Sequence, residues 1–427
     1  MKAHGMSDRR GQRVMGILDI GTSKVAAAVV VVEAGATAML TGKAPPFRIA
    51  GVGLQRSKGV KAGVLTNLDE AEETVRAAIG QAERAAGITV EGVSVSVACG
   101  RLKSQHFAAN AEVEDGVVSD EDIARVLQGG RAYAERDGRN LIHLNSIAYR
   151  LDNGAGVRDP RGLAAQKMLA QLHAVTADEA PLRNLLALVE RCYLSCDGLV
   201  ATPYASALAV TTEEEREIGV TCIDLGAGTA SIAQFADGHL IGADVVPVGS
   251  QHVTFDIAKA LQTPLVEAER IKTLYGTLTL AQSDEHESFS YPLTGEDDGA
   301  AYQTNKARLA EIIRPRIAHI LGLVRERLAQ NGANVYAGDK VVLTGGASQL
   351  LGAAEFAANV WQQPVRIGVL QPVAGLTQSQ SGPQFATLAG LATAVAIGLT
   401  ANGVATGNAY VPQGYMGRVG TWLKAGF

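Results

Sequence analysis

Cysteine is scarce in this 427-residue chain: there are four, Cys99, Cys192, Cys196 and Cys222. That is too few for a disulfide scaffold. Cys192 and Cys196 stand four apart in ALVERCYLSC, a run with helical spacing. No second Cys/His pair lies at a distance that would complete a metal site, so buried thiols in a reducing, cytoplasmic compartment are the simpler expectation. Aromatic residues make up only 5% of the chain, which argues against base-stacking surfaces. A basic excess is missing too: 38 Lys and Arg face 43 Asp and Glu, for a net charge of -5, and a general nucleic-acid binder is excluded. Long apolar runs are absent. The longest, Ala386 to Thr400, falls short of the ~20 residues that span a bilayer and is expected to be a buried core helix. The apolar stretch near the start is interrupted by Asp19 and Lys24, so no signal peptide is read there. No GxxxxGK[ST] motif occurs, which excludes a P-loop.

Apolar residues are plentiful at 47%, enough for more than one core, and the length suits two or three domains or one bilobed body. Residues 1–13 read as a loose tail. Val14–Val32 reads strand, turn, strand, and Phe47–Leu54 a third strand. Leu68–Ala86 has helical period with an acidic first turn, ended by Gly87. Val93–Cys99 alternates as a strand, followed by a polar stretch to about Asp115 and a helix announced by Ser119 and Asp122. Residues 93–175 are expected to form an inserted small domain. Pro181–Cys196 reads as an amphipathic helix, Ala268–Leu274 as helical, Thr277–Thr304 as a loop or weak hairpin, and Leu309–Ala329 as a long helix containing Pro315. Residues 401–414 are small and Gly-rich, a linker.

Two segments repeat. Leu18-Asp19-Ile20-Gly21 matches Ile223-Asp224-Leu225-Gly226, about two hundred residues later, and each is followed by small hydroxyl residues. A duplicated strand–turn–strand unit implies two similar lobes. Glycines let backbone N–H groups approach phosphate oxygens, and hydroxyls add donors. An Asp beside phosphate is repulsive unless a divalent cation intervenes, and Mg²⁺ accepts few carboxylates because it keeps its waters. Asp19 and Asp224 are therefore candidate Mg²⁺ residues, acting through water. A third element, VLTGGAS, ends a strand in Gly345, Gly346 and Ala347, where flat contact with a ring or sugar is possible. Glu269 and Lys272 lie three apart on one helical face, either as a surface ion pair or as a pair reaching one ligand.

The ordered set resembles the actin-like ATPase superfamily. Gly21, Thr22, Ser23 and Lys24 resemble its first phosphate loop, and Gly226, Ala227, Gly228 and Thr229 the second, with Ala227 where a third glycine is usual. Residues 344–348 resemble its adenosine motif. Within the superfamily, GVSVSVACGRLKS, HLNSIAYRLDNGAGVRDPRGL, TTEEEREIGVTCIDLGAGT, EAERIKTLYG, LAEIIRPRI and VVLTGGASQLLG resemble the FtsA family of bacterial cell-division proteins over nearly the whole chain.

The resemblance implies an actin-like two-lobed α/β fold with duplicated ribonuclease-H-like cores and an inserted 1C-type (SHS2) subdomain. It implies subdomain 1A over 14–92, 176–215 and 385–400, 1C over 93–175, 2A over 216–252 and 338–384, and 2B over 253–337. It also implies ATP and Mg²⁺, self-association into filaments, other division proteins bound through 1C, and an FtsZ C-terminal tail contacted by Arg316. The expected location is the inner face of the cytoplasmic membrane at the division site. Thr202 stands where related chaperones carry a carboxylate, so hydrolysis is expected to be slow or undetectable. In the last segment, 415–427, Met416, Val419, Trp422, Leu423 and Phe427 form one helical stripe flanked by Arg418 and Lys424, as in a helix lying on anionic lipid. Alternatives on the same fold are a scaffold of the type IV pilus machinery resembling PilM, a sugar kinase, for which no acid/base pair is found, and a chaperone ATPase.

Overall fold

A computed structural model describes residues 12–33, 46–295, 302–330 and 340–398. The chain opens with an antiparallel meander of β1 (Gln12–Ile20), β2 (Lys24–Glu33) and β3 (Phe47–Arg56). Val25 to Val32 are all buried, so β2 is continuously apolar, as a strand covered on both faces must be. A small hairpin, β4 (Val60–Lys61) with β5 (Val64–Leu65), leads to α1 (Leu68–Ala86). Asn67 caps α1 by accepting the Asp69 and Glu70 N–H groups, and Gly87 ends it at φ 65°. β6 (Gly92–Val97) then pairs in parallel with β1.

The inserted unit follows: β7 (Lys103–Glu112), α2 (Asp120–Ala134), β8 (Arg139–Leu151), β9 (Gly156–Val157) and β10 (Lys167–Asp178). Its sheet has the order β7-β10-β8-β9, and α2, with the expected Ser119–Asp122 capping box, packs on it. Two expectations are corrected here. Residues 93–97 belong to the first sheet, where β6 pairs with β1, so the insertion starts later than 93. The polar stretch before Asp115 is the strand β7, polar because alternate side chains face solvent.

Next come α3 (Glu179–Arg191) and β11 (Ser195–Ala201), which pairs in parallel with β6. The helix expected over Pro181–Cys196 stops at Arg191. Tyr193 turns the chain at φ 61°, and the Ser195 N–H donates to Glu91 O at 2.9 Å, so Cys196 rides on a strand. The two cysteines therefore share no helix face.

After α4 (Thr202–Val210) and α5 (Glu213–Ile218), the meander repeats as β12 (Val220–Leu225), β13 (Ala230–Ala236) and β14 (His239–Val246). The outer part of this lobe holds α6 (Gln251–Leu261), α7 (Leu265–Tyr275), a hairpin of β15 (Ser288–Tyr291) with β16 (Tyr302–Asn305), and α8 (Lys306–Gln330) with Pro315 inside it. β17 (Val341–Thr344), α9 (Ala353–Trp361), β18 (Val365–Ile367) and α10 (Ala386–Gly398) complete the described chain. The sheets run β3-β2-β1-β6-β11 and β14-β13-β12-β17-β18. In both, an antiparallel meander begins on the central strand and two parallel strands extend the other side. This duplicated topology is the actin-like α/β fold, with its insertion between β6 and β11. The linker at 401–414 and the segment 415–427 lie outside the described residues.

The run expected as a core helix is α10, with Leu388, Leu391 and Ala392 fully buried. It packs on β1, β2 and β6, while α4 packs on β12, β13 and β14, and the two helices pack on each other between the sheets. A Cβ on Gly390 would sit 1.6 Å from the Ala205 carbonyl oxygen, so only glycine permits this approach. No helix among the described residues is long and apolar enough to cross a membrane. Gly390→Ala is expected to push the helices apart at a cost of at least ~2 kcal/mol, read as a clear fall in Tm by calorimetry. An unchanged Tm would show that the helices do not meet there.

Candidate functional site

β1 and β12 are the central strands of their sheets, and each carries an aspartate one residue before its end, ahead of a tight turn into the next strand. The Gly21 N–H donates to Lys24 O at 3.0 Å, and the Gly226 N–H to Thr229 O at 2.9 Å. A Cβ on either glycine would crowd that same acceptor, at 2.9 Å and 3.0 Å respectively. The two loops face each other: Thr22 Oγ1 accepts the Gly63 N–H at 3.1 Å and lies where a Cβ on Gly228 would come within 2.2 Å of it.

Between the loops is a cleft of about 440 Å³. Every residue expected to bind nucleotide or metal lines it: Asp19 with Gly21 to Lys24, Asp224 with Gly226 to Thr229, Glu269 and Lys272, and Gly345 to Ala347. Hydroxyls hold the two carboxylates. Ser96 Oγ donates to Asp19 Oδ1 at 2.7 Å; Ser206 Oγ donates to Asp224 Oδ2 at 2.5 Å and Thr387 Oγ1 to the same oxygen at 3.3 Å. Burial raises the pKa of both aspartates above the usual carboxylate value, against the hydroxyl bonds and the charge of Lys24. Burial also lowers the pKa of Lys24, against the attraction of both aspartates. The Lys24 ammonium donates to Gln384 O and lies 4.2 Å from the Phe385 ring centroid. Two carboxylates against one ammonium leave a negative excess that a divalent cation would offset. Among the described residues no group of three or more His, Cys, Asp and Glu gathers. A cation here would have at most these two carboxylates, with water and ligand oxygens for the rest, which is chemistry Mg²⁺ accepts.

Ser96, Ser206, Thr387 and Gln384 were not legible as site residues. They lie between 18 and 360 residues from the groups they contact, and single hydroxyl residues inside apolar segments, like the three here, carry no motif. The signal that could have found the three hydroxyl residues is the need of a buried carboxylate for donors; Gln384 takes part through its backbone carbonyl, which accepts from Lys24 and which no side-chain pattern announces.

Gly345 and Gly346 have different tasks. Gly345 adopts φ 85°, and a Cβ on it would lie 2.2 Å from Asp224 Oδ1. At Gly346 a Cβ would meet only Gln384 Cβ, at 3.9 Å, so its bare face looks into open space. Glu269 and Lys272 do pair, at 2.7 Å, and Lys272 also donates to Thr254 Oγ1 at 2.9 Å, so the lysine is committed to the wall of the cleft. Arg316 lies on α8 outside the cleft. Its guanidinium grips Asp256 of α6 through two hydrogen bonds of 2.6 and 2.9 Å, and this bond raises its pKa. The residues of 415–427 lie outside the described structure.

Residues 221–390 match the family described as "Cell division protein FtsA", and residues 99–176 match the "SHS2 domain inserted in FTSA". The chain is 37% identical over 428 residues to the cell division protein FtsA of Agrobacterium fabrum, covering 99% of this chain and 96% of that protein. With FtsA of Escherichia coli K12 it shares 32% over 417 residues, covering 95% of each. The chain belongs to the FtsA family.

The SHS2 match coincides with the inserted unit from β7 to β10, and its start at 99 agrees with the corrected boundary. A solved structure titled "PilM-PilN type IV pilus biogenesis complex" superposes with a TM-score of 0.61 over 88% of this chain and 97% of that chain, at 16% identity, which is a likeness of fold. Membership of the FtsA family assigns the chain to cell division.

The two glycines should separate by substitution. Gly345→Ala forces a left-handed backbone and a clash with Asp224, costing at least ~2 kcal/mol, whereas Gly346→Ala is expected to keep the wild-type Tm and to weaken nucleotide binding. Thermal unfolding of both, with a nucleotide titration of Gly346→Ala, checks this. Equal stability of the two variants would contradict it.

Proposed function

We propose that the chain binds ATP with Mg²⁺ in the cleft and serves as a membrane tether of cell division. It would self-associate into filaments on the inner face of the cytoplasmic membrane and hold FtsZ filaments there, at the division site. The observation that carries this reading is the matched pair of Asp–Gly loops facing one cleft, in a chain of the FtsA family. In that cleft the backbone and hydroxyls of Gly21–Ser23 and Gly226–Thr229 would receive phosphate oxygens, with Lys24 between them. Asp19 and Asp224 would hold the hydrated Mg²⁺, whose chemistry is to neutralise phosphate charge. Gly346 and Ala347 would offer a flat surface to the base or ribose.

Thr202 lines this cleft and is 8% exposed. A hydroxyl there is a poor general base, so hydrolysis is read as slow or absent and nucleotide as a selector of conformation. The inserted 1C-type unit is read as the surface for other division proteins. The pilus-scaffold alternative has only fold likeness behind it, whereas identity of 32–37% runs through nearly the whole chain in FtsA proteins.

The FtsZ tail is expected to be acidic, and Arg316 would bind it by exchanging the Asp256 carboxylate for one of the tail's. The tail segment 415–427 would contact anionic lipid through Met416, Val419, Trp422, Leu423 and Phe427. One short helix binds weakly, so attachment gains from filament avidity. The test is co-sedimentation of FtsZ with anionic vesicles. Wild type should carry FtsZ down. Arg316→Glu should sediment itself but leave FtsZ in solution, and a truncation after Gly414 should leave both. Asp256→Asn, which frees Arg316, should retain more FtsZ than wild type. Recruitment of FtsZ by Arg316→Glu at the wild-type level would overturn the contact, and vesicle binding by the truncation would overturn the anchor.

A further inference from the structure

A second cavity, of about 320 Å³, adjoins the cleft on the far side of Thr22, Ser23, Ala227, Glu269 and Lys272, which line both. It opens between the end of β3 and the helices α6 and α7. The rest of its wall is polar on one side and apolar on the other. Arg56 and Ser57 come from the first lobe, and Phe255, Leu265 and Val266 from the second, together with Gln251 and with Thr254, whose hydroxyl is already bonded to Glu269 and Lys272.

The polar side is unsatisfied. Arg56 is exposed, and its side chain makes no hydrogen bond or ion pair among the described residues. The Ser57 hydroxyl is shielded from solvent and has no partner, although its backbone N–H is tied to Ser23 O at 3.0 Å. Buried hydroxyls normally find partners, so an orphan beside an unpaired guanidinium marks a place where an acceptor is missing. The other charges facing the cavity are already matched, because Lys272 donates to Glu269 at 2.7 Å. The apolar side is equally open: Phe255, Leu265 and Val266 are 41%, 50% and 67% exposed. Three large apolar side chains on one rim exceed the scattered exposure of an ordinary surface.

We propose that this cavity is a second ligand site, which takes a small amphiphilic anion: a carboxylate, sulfonate or phosphate head on an aromatic or short aliphatic body. The head would accept from Arg56 and the Ser57 hydroxyl, and the body would cover Phe255, Leu265 and Val266. The volume is at the lower end of small-molecule pockets, so the ligand is limited to a compact body. Because its walls come from both lobes, an occupant bridges them.

The probe is 1-anilinonaphthalene-8-sulfonate, titrated by fluorescence into the full chain without nucleotide, so the outcome does not depend on the ATP reading. One saturable site is expected. Arg56→Gln and Leu265→Gln should each weaken it about tenfold, the size of effect of losing a charge-assisted hydrogen bond or a buried apolar side chain. Ile218→Gln, which removes an apolar residue 82% exposed but outside the cavity, should leave it unchanged. Arg56 and Leu265 both face solvent, so neither substitution disturbs a core, and unchanged Tm values verify this. Equal dye affinity in wild type, Arg56→Gln and Leu265→Gln, or a loss as large in Ile218→Gln, overturns the site.

Discussion

The Asp224 carboxylate depends on two helices that come from distant parts of the chain. Ser206 of α4 and Thr387 of α10 both donate to its Oδ2, and those hydroxyls also touch each other at 3.0 Å. They converge because α4 and α10 cross at Gly390, where the helix backbone comes against Ala205. α10 packs on the first sheet, and α4 packs on the second while also touching β6 and β11 of the first. The crossing therefore sets both the distance between the sheets and the position of the carboxylate. Gly345 completes the arrangement, since its missing side chain leaves room for Asp224 Oδ1. A site built this way cannot be altered on one lobe without being felt on the other.

The two halves of the cleft are alike in backbone and unlike in support. Each aspartate stands one residue before the end of a central strand, the glycine two residues on closes the same hydrogen-bonded turn, and each carboxylate accepts from a serine. Ser96 is on the strand beside Asp19, within one sheet, while Ser206 reaches Asp224 from a helix. Asp19 is thus fixed by its own sheet and Asp224 by the contact between lobes. This asymmetry makes the second loop the better candidate for sensing how the lobes are set, in line with the conformational role proposed for nucleotide. The inserted unit adds a second connection. Ser104 accepts the Ala243 N–H at 2.7 Å, and His106 Nε2 approaches Ile241 O at 2.7 Å, both on β14.

The loops themselves were legible in the sequence, because Asp, Gly and Ser/Thr at that spacing answer to the demands of the turn and to those of the phosphate proposed to bind there. Continuous apolar runs gave away β2 and α10, and end signals placed both ends of α1 and the start of α2. What stayed hidden was long-range. The strand β7 looked like a polar stretch without structure of its own because its alternate residues are solvated, and β6 was assigned to the insertion because chain order says nothing about which sheet a strand joins. Cys196 looked helical because the turn at Tyr193 needs a left-handed residue that is not glycine. Ser206 and Thr387 are ordinary residues whose importance lies only in where the helices cross, and Gln384 enters through a backbone carbonyl that accepts from Lys24. Arg316 was legible as a cation but not as one already held by Asp256.

The central claim is that the paired aspartate loops form an ATP site that uses Mg²⁺. Calorimetric titration of ATP into the full chain, with and without Mg²⁺, tests it most directly when run on wild type and Asp224→Asn. The account predicts roughly micromolar binding by wild type, about −8 kcal/mol, that weakens when Mg²⁺ is withdrawn. It predicts weaker binding by Asp224→Asn that is indifferent to Mg²⁺. Wild-type Mg²⁺ dependence persisting in Asp224→Asn, or no ATP binding by wild type, would contradict it.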